Sequence, residues 1–411
     1  MGFRITTNMM MNSYRYNLQG STKKLADARD KVLTQRNFNS YAEDPAAATQ
    51  AFRLRRDYYQ TYTQLNNTKN IYSKYNTAWN NLGKIKTDLV DKSAIESAIR
   101  GDNGTTGEAR RALATVLRED AESLVHALNQ KLGDQFIFAG NDGLNVPFEW
   151  KDVDGQRTLF YRGINVNSGS VPEPDAATKP AWANDPDNFK ENGAPDLEKL
   201  GDAGVDLDDP DNKNWITYYN DQANYKMLQD MSEEQLYIDL GMGMAESSPN
   251  NPVNGSYFNG ALCGLDFCGF GVDGDGDPQN LAMIMREMAD IFDTWDEETQ
   301  SFNPALAKDS AEGLTSKELE DKAYRLLNKM TAARDHLSEQ WVELDAKSVF
   351  LQSNEERLST LLMDTNTQIL DVEQVDLADA ITTFSWQQYC YNSALKIGNQ
   401  LLSQSLIDYM N

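Results

Sequence analysis

The run Asp273-Gly274-Asp275-Gly276-Asp277 places a carboxylate at every second position, the alternation with which a calcium loop surrounds a hard cation with oxygen. An EF-hand loop starting at Asp273 also needs glycine at 278 and glutamate at 284, and the chain has Pro278 and Ile284 there. The run reads as an acidic surface turn, with Asp273, Asp275 and Asp277 as weak candidates for a cation site of another kind. Thiol and imidazole chemistry has less material. The cysteines are Cys263, Cys268 and Cys390, an odd number with no second closely spaced pair, and the only histidines are His126 and His336. A structural zinc site takes four such ligands at closer spacing, so the thiols read as buried or incidental. No His-Glu-x-x-His occurs, and among 63 acidic residues no spacing singles out a pair for glycoside hydrolysis. The expectation is a protein without a cofactor and without enzymatic activity.

The charge balance narrows the partners. The 411 residues carry 38 Lys and Arg against 63 Asp and Glu, a net charge of −25. Phosphate backbones are bound by clustered cations, so a nucleic-acid partner is not expected, nor is adsorption to an anionic membrane surface. No stretch approaches the roughly 18 to 20 apolar residues of a membrane-spanning helix. The first twenty residues lack the continuous apolar region of a cleaved signal peptide, so secretion would need another route.

The elements that must position any site are unevenly spread. Residues 141–280 hold ten of the twelve prolines and a local net charge of −18, leaving −7 for the rest. Proline-poor flanks can hold long helices, whereas the central stretch reads as strands and loops inserted between them. In the first flank Met11, Tyr14, Leu18, Ser21, Leu25, Ala28 and Val32 recur three and four residues apart, the spacing of a coiled-coil seam. Asp44-Pro45 before an alanine run marks a helix start. A second helix is expected to bury Ile71, Tyr75, Ala78, Leu82, Ile85 and Leu89. A third should bury Leu113, Leu117, Leu124, Leu128 and Leu132. From Lys317 to Asp371 there is neither proline nor glycine, which predicts one very long helix. A last seam follows with Leu377, Ile381, Phe384, Gln388, Tyr391, Leu395, Gly398, Leu402 and Ser405. Residues 1–36 carry a net +5 and residues 351–411 a net −6, which favours pairing of the two ends. Within the insert, Asp154-Gly155 between two alternating runs predicts a hairpin over 148–161.

These features, in this order, resemble the flagellin superfamily and, within it, the hook-associated proteins of the hook-filament junction. Four segments carry the likeness: Arg4-Ile5-Thr6-Thr7-Asn8, then Ala42-Glu43-Asp44-Pro45-Ala46, then Gly133 through Asn141 with Pro147-Phe148, and finally Val372 through Ile381 continuing to Tyr409. The resemblance implies a mainly α fold, with long terminal helices forming coiled-coil and helical-bundle domains and a central loop-rich, β-containing (α+β) inserted domain. The expected division is a terminal coiled coil of 1–44 with 371–411, a helical bundle of 45–140 with 300–370, and an acidic inserted domain of 141–299. The implied function is an extracellular axial subunit that joins hook to filament, forms a ring through its terminal helices and leaves the cell by flagellar type III export. The implied partners are other copies of itself, the first hook-associated protein, flagellin, and the export chaperone and apparatus. Candidate subunit contacts are Met11, Tyr14, Leu18, Leu25, Val32, Asp44 and Pro45 with Leu377, Ile381, Phe384, Tyr391, Leu395 and Leu402. The alternatives are a flagellin-type filament subunit and a calcium- or glycan-binding module on a helical stalk.

Overall fold

The computed structural model describes residues 7–102, 106–153, 155–248, 251–253, 255–306 and 314–410, with backbone alone for 7, 8, 102, 246–248, 251, 252 and 401–410. It is 66% helical, with a few small antiparallel sheets, as the mainly α expectation required. By packing the chain divides into two units, residues 1–66 with 355–411 and residues 67–354.

The first unit contains helix α1, Thr7–Thr34, the opening of α2, Pro45–Lys84, the end of a 58-residue helix that begins at Ser316, and the last helix of the chain. The start of α2 falls where Asp44-Pro45 predicts it. Asp44 Oδ1 accepts the amides of Ala46 and Ala47 at 3.1 and 3.0 Å, and Pro45 occupies the first turn, where a missing N–H costs nothing.

The second unit holds the main core. Ile71, Tyr75, Ala78, Leu82 and Ile85 are buried on one face as expected. The helix then widens into a π-helical stretch, Ile85–Ala94, so the next core residue after Ile85 is Val90, five positions on, and Leu89 is only half-buried. After α3, Ile95–Asp102, comes α4, Gly107–Leu128, which buries Ala114, Leu117, Ala121, Leu124 and Leu128. Leu132 does not extend this face, because the helix stops at Leu128 and Leu132 pairs with Gln135 in a two-residue strand, partly exposed.

The hairpin forms as predicted. Phe148–Val153 pairs antiparallel with Gln156–Tyr161 in the register Phe148↔Tyr161 to Val153↔Gln156, and Gly155 has φ 86°. Asp154 itself lies outside the described residues. Ile164–Asn165 adds a third, short strand. Beyond it the chain forms α5, Leu197–Asp202, α6, Pro210–Ser232, the single turn α7, Leu265–Cys268, and α8, Leu281–Asp293. Trp182, Ala183, Leu200 and Trp215 make a small separate cluster. Leu228, Leu240, Leu262, Leu265 and the buried face of α8 instead join the core of α2 and α4.

Helix α9, Ser316–Glu373, fulfils the long-helix expectation. Met330, Leu337, Leu344 and Leu351 are buried at seven-residue intervals, a coiled-coil seam in the bundle. Trp341 stacks on Trp79 with ring centroids 5.4 Å apart and donates its Nε1–H to the Trp79 carbonyl at 3.0 Å. The chain ends in α10, Leu377–Met410.

Candidate subunit interface

Helices α1 and α10 pair antiparallel. Arg36 bridges Gln374 at one end, where the Asn37 amide donates to the Glu373 carbonyl at 2.8 Å and the Val375 amide to the Gln35 carbonyl at 3.2 Å. Farther along, the Tyr14 ring lies so close to Gly398 that any Cβ there would run into it. Asn37 Nδ2 also donates to the carbonyls of Val372 and Gln374, and Glu43 Oε2 accepts the Asn39 amide at 2.8 Å, which closes the loop before Asp44. Arg55 reaches Glu373 at 2.5 Å, and that hydrogen bond raises the guanidinium pKa.

The α1 seam is where its spacing puts it. Met11, Tyr14, Leu18, Ser21, Leu25 and Val32 are half-buried and Ala28 is buried, while the residues between them are mostly exposed. Helix α10 differs. Its packed line is Ala380, Phe384, Tyr391, Ala394 and Gly398, small residues alternating with two aromatic ones. Leu377, Ile381 and Leu395, which the spacing also places on the seam, lie to one side of it and remain 43%, 48% and 42% exposed. At 100° per residue they fall within about 40° of one another, a second apolar stripe beside the first. Trp386 and Tyr389 stack on each other on a further exposed face. Asp44 and Pro45 are exposed, and the side chain of Leu402 lies outside the described residues. Sequence reasoning passed over Phe52, Tyr59, Tyr62 and Met363 as contacts, and all four are exposed in this unit. Large side chains on the outer faces of α2 and α9 were the available signal.

The weak cation candidates lie in the second unit. The carboxylates of Asp273, Asp275 and Asp277 come within 4.8 Å of one another. The Lys329 ammonium lies among them, 2.6 Å from Asp273, 3.4 Å from Asp275 and 2.5 Å from Asp277. Arg325 reaches Asp277 at 3.2 Å and Lys322 at 3.8 Å. Burial would raise the Asp273 carboxyl, but the Lys329 hydrogen bond and the amides of Asp277 and Asp275 outweigh it and hold its pKa below the ordinary value. Asp277 is fully buried, so the run is a clasp onto α9 and less of a surface turn than its polarity suggests. Cys263 and Cys268 are buried, and burial raises both thiols.

The end helices thus pair and leave large apolar side chains such as Ile381, Trp386 and Ile397 exposed. No family model matches it. It is similar to flagellar hook-associated protein 3 of Salmonella typhimurium, with 27% identity over 42% of this chain and 61% of that protein. Among solved structures, one described as a flagellar hook-associated protein from Vibrio parahaemolyticus aligns with 81% of this chain and all of its own, at TM-score 0.48 and 12% identity. FlgL of Xanthomonas campestris aligns with 75% of this chain and 99% of its own, at TM-score 0.32 and 15% identity. The likeness to hook-associated protein 3 agrees with the resemblance carried by the four sequence segments.

Proposed function

We propose that the protein is a structural axial subunit of the bacterial flagellum, joining hook to filament outside the cell, and that its role is assembly rather than catalysis. The observation that carries this reading is the exposed stripe of Leu377, Ile381 and Leu395 beside an already packed α1–α10 seam, in a chain similar to hook-associated protein 3. An apolar stripe on a paired helix gains from a further partner, and in a ring of identical copies the neighbouring subunit supplies one. In this reading residues 1–44 with 371–411 make the contacts between copies and toward the first hook-associated protein and flagellin. Residues 45–140 with 300–370 form the bundle, and 141–299 turns its excess acid to solvent, where like charge resists nonspecific adhesion. The export apparatus and its chaperone would receive the chain before its terminal helices find their final partners.

The test is Leu395→Asp beside Leu18→Asp. Leu18 lies in the α1–α10 seam and Leu395 in the stripe that a neighbouring subunit would cover, and an unpaired charge buried at either place costs several kcal/mol. Both variants are expected to keep the bundle folded by circular dichroism and to lose motility and flagellin retention at the cell. Normal filaments on both would overturn the assignment.

A further inference from the structure

A cleft of about 660 Å³ opens between α7 with the loop that follows it, the start of α8 and the middle of α9, and Tyr225 of α6 also lines it. Leu265, Phe270, Ile284 and Ala333 give it an apolar wall. The rings of Tyr225 and Phe270 lie 5.7 Å apart, and the Tyr225 ring rests so closely on Gly271 that a Cβ there would stand 2.7 Å from it. Of the charged groups in the cleft, all but one have found a partner. Lys329 is held by Asp273 at 2.6 Å and by Asp277 at 2.5 Å, and Lys347 by Glu343 at 2.7 Å. The carboxyl of Asp266 has no hydrogen bond and no ion pair among the described residues. Asp266 is half-buried on the cleft wall, so it remains within reach of a ligand.

A carboxylate taken partly out of water and given no partner is costly as a charge. Burial accordingly raises the Asp266 carboxyl; Lys347, already committed to Glu343, opposes this in part, and Glu343 adds to it. A ligand that carries a positive charge supplies the missing partner. An anion would meet the one unneutralised carboxylate of the cleft. A hard metal ion takes about six to eight oxygens, and the other lining carboxylates, Asp273 and Glu343, are occupied by lysines. The apolar wall asks for more than a bare ammonium. We propose that the cleft binds a small amphiphilic amine, its ammonium on the Asp266 carboxylate and its apolar body against Tyr225, Phe270 and Ile284. The volume fits, since small-molecule sites run from about 300 to 1,000 Å³ and are mostly apolar with a few placed polar groups.

Calorimetric titration of the full chain at pH 8 with tryptamine and hexylamine, each beside its neutral alcohol, tryptophol or hexanol, tests this. An amine should saturate one site about tenfold more tightly than its alcohol, and the anionic analogue indole-3-propionate should bind more weakly than tryptophol. Asp266→Asn should weaken the amine about tenfold and leave the alcohol unchanged, whereas Tyr225→Ala should weaken both, with thermal melts confirming that the variants fold. A second readout needs no variant. Asp266 is faced by Glu343, Lys347 and His336 from α9, by Cys263 and Cys268 from its own segment, and by Glu234, which Arg162 holds. Protonation of Asp266 removes the charge that holds the ammonium. Amine binding by the wild type should therefore weaken about tenfold or more from pH 8 to pH 5.5, and Asp266→Asn should flatten that slope. No saturable binding of either amine, alcohols that bind as tightly as the amines, or a folded Asp266→Asn with wild-type affinity and pH profile would overturn the proposal.

Discussion

The two packing units bury their large apolar side chains to different degrees. In residues 67–354 a large core goes inside, although Leu144, Tyr324 and Val342 are exposed: Tyr75, Leu82, Leu117, Leu124, Phe138, Phe148, Tyr161 and Phe292 are all within 2% of complete burial. In residues 1–66 with 355–411 the buried positions are mostly small or polar, such as Ala28, Ala51, Thr61 and Ala380. Phe52, Tyr59, Met363, Ile381, Trp386 and Ile397 stand 48% to 72% exposed. Each buried large side chain contributes roughly 1.5 to 3 kcal/mol, so the first arrangement sustains a fold by itself and the second holds much of that contribution in reserve. The difference teaches that one chain can combine a body that buries many of its large side chains with ends that leave many of theirs exposed.

The largest expected effect therefore belongs to the body. Phe292 packs directly on Gly101, where a Cβ would collide with its ring. Phe292→Ala should cost about 3 to 5 kcal/mol in denaturant unfolding of the purified chain. Leu395→Ala, truncating a similarly apolar residue in the other unit, should change the isolated chain by less than about 1 kcal/mol and act on assembly instead. Comparable losses in the isolated chain would erase the contrast between the units.

Next comes the clasp. Asp277 is buried and faces Lys329, Arg325 and Lys322. Asp277→Ala removes the carboxylate that Lys322 and Lys329 share, while Glu287 still holds Lys322 and Asp273 and Asp275 still hold Lys329, so the cost should be about 1 to 3 kcal/mol. Lys329→Met should be milder, because Arg325 and Lys322 still face Asp277. Equal costs for the two variants would show that Lys329 alone holds the loop.

A smaller effect tests the terminal pair. Gly398→Ala removes a poor helix former and by propensity alone should favour α10 by about 1 kcal/mol. The Tyr14 ring forbids the added methyl, and overpacking of this kind costs about 1 to 3 kcal/mol. The expected result is a net loss of protease protection at both ends, recovered when Tyr14→Ala is added. A stabilised variant would show that α1 and α10 do not meet at this point.

Much of this was legible in the residues, and the failures have local causes. Capping chemistry and helical spacing held at Asp44-Pro45, along the α1 seam and through the uninterrupted α9. The same cap occurs at Asp209-Pro210, where Asp209 Oδ1 accepts the amides of Asp211 and Asn212, and it opens the 23-residue α6. It went unread because the surrounding proline and acid pointed to loops. Helix α8 was obscured for the same reason, although Asn280 caps it. The π-helical stretch was not readable, since its register depends on how Val90 and Ala94 meet the rest of the core. On α10 one spacing pattern blended two adjacent stripes, and only packing against α1 separates Gly398 from Leu395.

The finest probe of the body is its pH dependence. Burial raises the carboxyl of Asp266 from 3.8 to about 7, with Lys347 holding it down in part and Glu343 pushing it up. Between these values the folded chain keeps a proton that the unfolded chain has released. Stability should therefore fall as pH rises from about 4 to 7 and level off above, the opposite of a salt-bridged carboxylate. Glu287 is shifted in the same direction, so the wild-type slope reports more than one group. The difference between wild type and Asp266→Asn isolates the single residue, because the amide does not titrate. That difference should favour the variant increasingly from pH 4.5 to pH 8 in matched urea melts. A constant difference across the range would mean that Asp266 ionises as freely in the folded body as in the unfolded chain, and that this part of the second unit is as open to water as the helices at the ends.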